Sequence, residues 1–333
     1  MPDNRAASPG AVGENSSGHS VDISVILCTF NRCRSLAKAL ESVVAQSLPP
    51  SFEWEVLVVD NNSKDQTREV VKDFCLRYPG RIRYLFEPQP GKSFALNSGI
   101  HQARGAILAF VDDDVTVDST WLRNLTAELS SGEWAGAGGP ILPEQAVSLP
   151  RWLPVEEPRI LRALALFNLG ADPGPIAESP LGTNMAFRKD AFERYGLFRT
   201  DLGPRPGGEI RGEDTEFGSR ILAVGARIRY EPSAVVYHAM PQNRLTKGYF
   251  LTWWFDKGRS DFREFGIPPG TRWSVGGTPL YLFRRLAVWT LRWLVSIRPS
   301  RRFYRQIQVR WLAGQILESR RQRQPRPVEG NVT

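Results

Sequence analysis

The sequence predicts an α/β fold: one domain with a mostly parallel central sheet flanked by helices, followed by a C-terminal helical appendage. Three observations predict it. From Val21 onward, short β-branched apolar runs alternate with stretches whose apolar residues recur at helical spacing. Polar and acidic residues cluster where those runs end, as expected at the carboxyl edge of a parallel sheet that binds a ligand there. The chain has 333 residues, 41% hydrophobic and 23% charged, enough for a large core without disulfide or metal staples.

The elements follow in order. Ile23–Phe30 is a β-branched run that ends at Asn31, and Leu36–Val44 carries helical spacing. Glu55–Asp60 is a second strand, stopped by Asn61-Asn62-Ser63, with a helical stretch up to Tyr78. Arg81–Phe86 is a third strand, Lys92–Ala103 a helix, and Ala106–Val111 a fourth strand running into Asp112. Pro140–Pro180, rich in proline, reads as an ordered but irregular region. Gly182–Phe187 resumes strand character, Gly212-Glu213-Asp214 opens a helix through Val224, and Arg227–Tyr237 forms one more strand ending at His238. The expected division is a disordered leader (1–20), a main domain (21–260), a basic helical appendage (261–318) and a disordered tail (319–333).

Charge is unevenly spread. The net charge is +8, yet residues 281–333 hold twelve Arg, no Lys and two Glu, a net of +10, so residues 1–280 sum to −2. A basic segment favours phosphate-rich partners. Leu280–Ile297 mixes Trp289, Trp293 and Leu286 with Arg284, Arg285 and Arg292, which describes a helix lying at a membrane surface rather than spanning it. A surface helix docked on the domain, with no membrane role, is the other reading of this segment, and nucleic acid is the weaker alternative. Residues 1–20 lack the apolar stretch of a signal peptide, and three cysteines offer neither a disulfide framework nor a zinc site, so a reducing compartment is expected.

Three groups carry chemistry. Asp112-Asp113-Asp114 follows an apolar strand, where positions i and i+2 share a face. Asp112 and Asp114 can therefore converge on one hard cation, Mg²⁺ or Mn²⁺, with Asp113 facing elsewhere. Glu213-Asp214 offers a general base at a helix start. His238, at a strand end, can add an imidazole to the carboxylates. Gly91-Lys92-Ser93 is not a P-loop, because Phe86 stands where its first glycine belongs, and no Gly-x-Gly-x-x-Gly follows the first strand.

In order along the chain, SVILCTFNR, VLVVDNNS, KSFALNSG, FVDDD, GTNMAFR, GED and YEPSAVVYH resemble the family 2 glycosyltransferases of GT-A fold, over about residues 21–260. The resemblance implies an inverting hexosyl transfer from a nucleoside-diphosphate sugar to a hydroxyl of a glycan or lipid-linked acceptor, as in polysaccharide biosynthesis. It implies that Thr29, Asn31, Arg32, Asp60, Lys92, Asp112 and Asp113 bind the donor, with Asp60 accepting from the base. It implies that Asp112, Asp114 and His238 hold Mn²⁺ or Mg²⁺, and that Asp214, beside Glu213, is the catalytic base. Gln308-Val-Arg-Trp311 departs from the Gln-x-x-Arg-Trp motif of processive synthases, which favours single additions. The expected location is the cytoplasmic face of a membrane, held peripherally by the basic tail. The rival readings are a catalytically silent sugar-nucleotide-binding module and a haloacid-dehalogenase-like phosphohydrolase using Asp112 in Asp-x-Asp-x-Thr.

Overall fold

The computed structural model describes residues 21–322 apart from Pro158 and Glu209. The expected leader and residues 323–333 of the expected tail lie outside the described residues. Strand and helix alternate through the first part: β1 (Ile23–Thr29), α1 (Cys33–Val44), β2 (Trp54–Asp60), α2 (Thr67–Arg77), β3 (Ile82–Phe86), α3 (Lys92–Gln102) and β4 (Ile107–Asp112). β1 pairs in parallel with β2 on one side and β4 on the other. Cys28 thus stands level with Val59 and Asp112, and Thr29 with Asp60. This register brings three polar strand ends to one edge.

Shorter elements follow: β5 (Val115–Val117), α4 (Trp121–Thr126), β6 (Gly136–Gly138), β7 (Ile141–Pro143), β8 (Gly174–Pro175), β9 (Asn184–Arg188), α5 (Lys189–Tyr195), α6 (Glu213–Ala223), β10 (Ile228–Tyr230) and β11 (Val236–His238). The main sheet runs β3-β2-β1-β4-β9-β6-β10-β8, with β9 antiparallel to β4 and β6. A small second sheet, β5-β11-β7, lies beside it. The single strand expected over Arg227–Tyr237 is instead two, in different sheets. Pro232 lacks an N–H for a ladder, and Glu231 turns the chain by accepting from Ala234 N and from the Ser233 hydroxyl.

The strands of the main sheet are apolar on both faces, because helices cover both. Val25, Leu27, Val56 and Val58 pack under α1 and α2 with Trp121, while Ile26, Val59 and Phe110 face α3, α5 and α6. The second face is aromatic: Phe192 stacks on Phe217 at 4.5 Å, and Phe187 meets Phe217 edge-on at 5.0 Å. Buried Asn184 joins the two sheets. It accepts from Trp121 Nε1 and donates to the carbonyls of Pro140 and Ala234.

The chain ends in α7 (Lys247–Phe265), the short strands β12 (Ser274–Val275) and β13 (Thr278–Pro279), α8 (Leu280–Leu294) and α9 (Pro299–Arg321). α7 runs through residue 260 and α9 runs past residue 318. Within the Pro140–Pro180 region, a 3₁₀ turn (Ile160–Leu164) and Trp152 pack on α7 and α9 through Phe250 and Phe303. No helix among the described residues is long and apolar enough to cross a membrane.

Candidate active site

A cavity of about 600 Å³ opens at the carboxyl ends of β1 and β4. Thr29, the last residue of β1, donates to Asp113 at 2.7 Å. Arg32 bridges Asp113 and Asp114 at 3.0 and 2.7 Å. β4 stops at Asp112, so Asp113 and Asp114 sit in the turn before β5 and the strand alternation expected across them does not operate. Asp113 turns inward to Thr29, and Asp114 turns toward β11. Burial pushes the Asp113 carboxyl up to about 6, against the pull of Arg32.

Lys92 opens α3 and crosses the cavity to Asp112 at 2.5 Å, with Glu213 at 3.9 Å. Thr183 donates to the other Asp112 oxygen at 2.7 Å. Burial opposes the Lys92 charge, but Asp112 and Glu213 outweigh it and hold the ammonium protonated above its ordinary range. Burial, reinforced by Asp214, pushes the Glu213 carboxyl up to about 7, with Lys92 pulling the other way.

Asp214 is held by backbone. Gly182 N donates to its Oδ2 at 2.5 Å and Thr215 N to its Oδ1 at 2.7 Å. Gly212, at φ +98°, makes the left-handed turn that starts α6 and aims Glu213 and Asp214 into the cavity. A carboxylate fixed in this way, at a helix N-terminus, can accept a proton from a hydroxyl in the cavity.

His238 reaches the site by register: β11 pairs antiparallel with β5, His238 opposite Val115, next to Asp114. Its Nε2 lies 3.8 Å from Asp114 Oδ2 and 3.1 Å from Arg244 Nη1, and its buried Nδ1 has no partner. Arg244 also stands 3.6 Å from Asp114. Burial opposes ionisation of Asp114, but His238, Arg32 and Arg244 together hold it well below the usual carboxylate range. Among the described residues, no three of His, Cys, Asp or Glu stand together as a metal cluster. The Asp114–His238 pair nonetheless suits a hard divalent ion that takes its other ligands from substrate phosphates. Asp112, in contrast, is occupied by Lys92 and Thr183.

The structure thus brings Thr29, Arg32, Lys92, Asp112, Asp113, Asp114, Glu213, Asp214 and His238 to one cavity. Asn31 and Asp60 do not line it. Asn31, at φ +53°, ties the loop after β1 to that after β2, donating from its N to Ser63 Oγ and accepting from Lys64 N. Asp60 is buried and accepts from Ser63 N and from the Tyr84 hydroxyl. Sequence reasoning missed Asn61, Thr183, Arg244 and the α7 residues Tyr249, Trp253 and Lys257, all of which line the cavity. Asn61 had a signal, the Asn-Asn that stops β2; it positions Lys92 by accepting from Gly91 N at 2.7 Å.

The family model described as glycosyl transferase family 2 matches residues 24–196. The succinoglycan biosynthesis protein ExoM of Rhizobium meliloti is 27% identical over 245 residues, 73% of this chain and 75% of its own. The glycosyltransferase AglE of Haloferax volcanii is 28% identical over 246 residues, 71% of this chain and 75% of its own. Among solved structures, the mannosyltransferase PcManGT from Pyrobaculum calidifontis, in complex with GDP-Man and Mn²⁺, aligns over 90% of this chain and 88% of its own. Its TM-score is 0.60 at 19% identity. GalNAc-T7 with UDP, GalNAc and Mn²⁺ aligns over 76% of this chain and 52% of its own, with a TM-score of 0.52 at 18% identity. These likenesses in fold agree with the sheet described above. The chain belongs to glycosyl transferase family 2 and is a glycosyltransferase of the GT-A fold.

Proposed function

We propose that this chain transfers a sugar, with inversion, from a nucleoside-diphosphate donor to a hydroxyl of a glycan or lipid-linked acceptor at the cytoplasmic face of a membrane. The observation that carries the reading is Asp214, fixed by two backbone N–H groups and aimed into a cavity that Asp112, Asp113 and Asp114 also line. Asp214 accepts the proton of the attacking hydroxyl, which is a weak nucleophile at neutral pH. Attack from the face opposite the leaving diphosphate inverts the anomeric centre. Asp114 and His238 would hold Mn²⁺ or Mg²⁺. A bound divalent ion offsets the charge that grows on the diphosphate. Both neighbouring GT-A structures were solved with Mn²⁺, which supports that assignment.

Lys92 and Arg32 supply the fixed positive charge of the donor side, and Thr29 and Asn61 set the loops that present them. The test separates binding from turnover. Asp214→Asn keeps the nucleotide-dependent rise in melting temperature and loses transfer by about 10²- to 10⁴-fold, the usual worth of a positioned base. Asp114→Ala loses the Mn²⁺-dependent part of that rise. Transfer at wild-type rate by both variants would overturn the assignment.

A further inference from the structure

We propose that the outer face of α8 and the turn that follows it form a lipid-docking surface that sits in an anionic membrane. This deepens the membrane-face reading above by naming the surface. α8 has fifteen residues, of which only Leu282 is buried. Leu282, Leu286 and Trp289 pack inward on Trp311 and Leu312 of α9. At about 100° per residue, Leu291 lies on the opposite side from Leu282.

That opposite side is apolar and open. Val288 is 46% exposed, Leu291 63% and Leu294 58%; beyond the helix, Val295 is 73% and Ile297 93% exposed. The first three recur every three residues, so they form one stripe. A contiguous apolar stripe rimmed by charge marks an interaction site on a soluble protein. The rim is arginine: Arg284, Arg285, Arg292, Arg298 and Arg301 are all exposed. Among the described residues, none of the ten arginines from 284 to 321 pairs with a carboxylate. Glu318, the one acid of that segment, is buried against Arg259 and Arg263 of α7.

The charge selects the occupant. A second copy would bring the same arginines face to face, and like charges oppose that contact. Residues 1–20 contain no apolar run that could cover the stripe. An anionic lipid surface meets both halves: guanidinium groups reach lipid phosphates while the leucines enter the acyl boundary. α9 links this surface to the cavity, since it packs on α7, which contributes Tyr249, Trp253 and Lys257 to the cavity wall.

The test is sedimentation of the whole chain with phosphatidylcholine vesicles, with and without phosphatidylglycerol. Binding is expected only with phosphatidylglycerol and weakens as salt rises. Leu291→Glu with Leu294→Glu cuts it roughly tenfold or more, and Arg292→Glu with Arg298→Glu does the same. All variants should keep the wild-type melting temperature, because the altered side chains are exposed. Indifference of the wild type to anionic vesicles overturns the proposal. So does wild-type binding by the variants, or a concentration-dependent dimer that Leu291→Glu dissolves. Nucleotide-induced melting shifts on the same proteins read the donor site separately. A donor shift without vesicle binding sinks the docking surface alone, and vesicle binding without any donor shift sinks the donor site alone.

Discussion

Arg244 is held by Asp114 and His238, the pair assigned to the cation, at 3.6 and 3.1 Å. A guanidinium there competes with a metal for the same lone pairs. Arg244→Ala is therefore expected to increase the melting shift caused by Mn²⁺ alone and to reduce the shift caused by nucleotide with Mn²⁺, because a positive charge facing the diphosphate is lost. Thermal melting reads both, and a variant in which both shifts equal the wild type refutes this role. A second prediction concerns protons. Burial pushes Glu213 and Glu264 up to about 7, so the folded state binds protons that the unfolded chain releases above pH 4.5. Stability should consequently fall as pH rises from about 4.5 to about 7, then level off. Glu264→Gln, outside the cavity, should flatten part of that slope in urea titrations at about pH 5 and pH 8; an unchanged slope contradicts it. At this scale the motif residues were legible because they stand where apolar runs stop. Arg244 was not, since the 3₁₀ turn over Gln242–Leu245 returns it to the site and nothing in its neighbours marks that return.

Among elements, α7 and α9 decide how the cavity's outer wall stands. They cross at two glycines. A Cβ on Gly258 would lie 1.9 Å from the Trp311 carbonyl oxygen, and one on Gly314 would lie 2.0 Å from that of Phe255. The backbones have no room to give, so Gly258→Ala must part the helices. Overpacking of this kind costs about 1–3 kcal/mol. Urea unfolding should show that loss, with faster proteolysis of α8 and α9; a variant within about 0.5 kcal/mol of the wild type contradicts the close crossing. The long alternating elements were legible from periodicity. The short strands β5, β6 and β7 were not, because three residues carry no period. Their pairing comes from long-range partners: β5 on β11, β6 on β9, β7 on β11. Pro232 was the available sign that the Arg227–Tyr237 run divides.

For the whole molecule, the charge asymmetry visible in the sequence is preserved in space. The first 280 residues are nearly neutral around an internally ion-paired cavity, and the arginines gather on the α8–α9 pair. Nearly every cation lining the donor side already faces a carboxylate: Lys92 faces Asp112, Arg32 faces Asp113 and Asp114, and Arg244 faces Asp114. A diphosphate entering alone would displace carboxylates from their partners, whereas a diphosphate entering with a divalent ion adds the positive charge that the site lacks. Donor binding should thus be metal-dependent. A nucleotide at a hundred times its dissociation constant contributes about 2.7 kcal/mol, which for a chain of this size moves the melting point by about 4 °C. Melting with UDP, GDP, dTDP, CDP and ADP should show such a shift for one base, with Mn²⁺ and not without it. A shift of equal size in EDTA would mean that Lys92, Arg32 and Arg244 neutralise the diphosphate themselves, and Asp114 with His238 would then lose the role assigned to them.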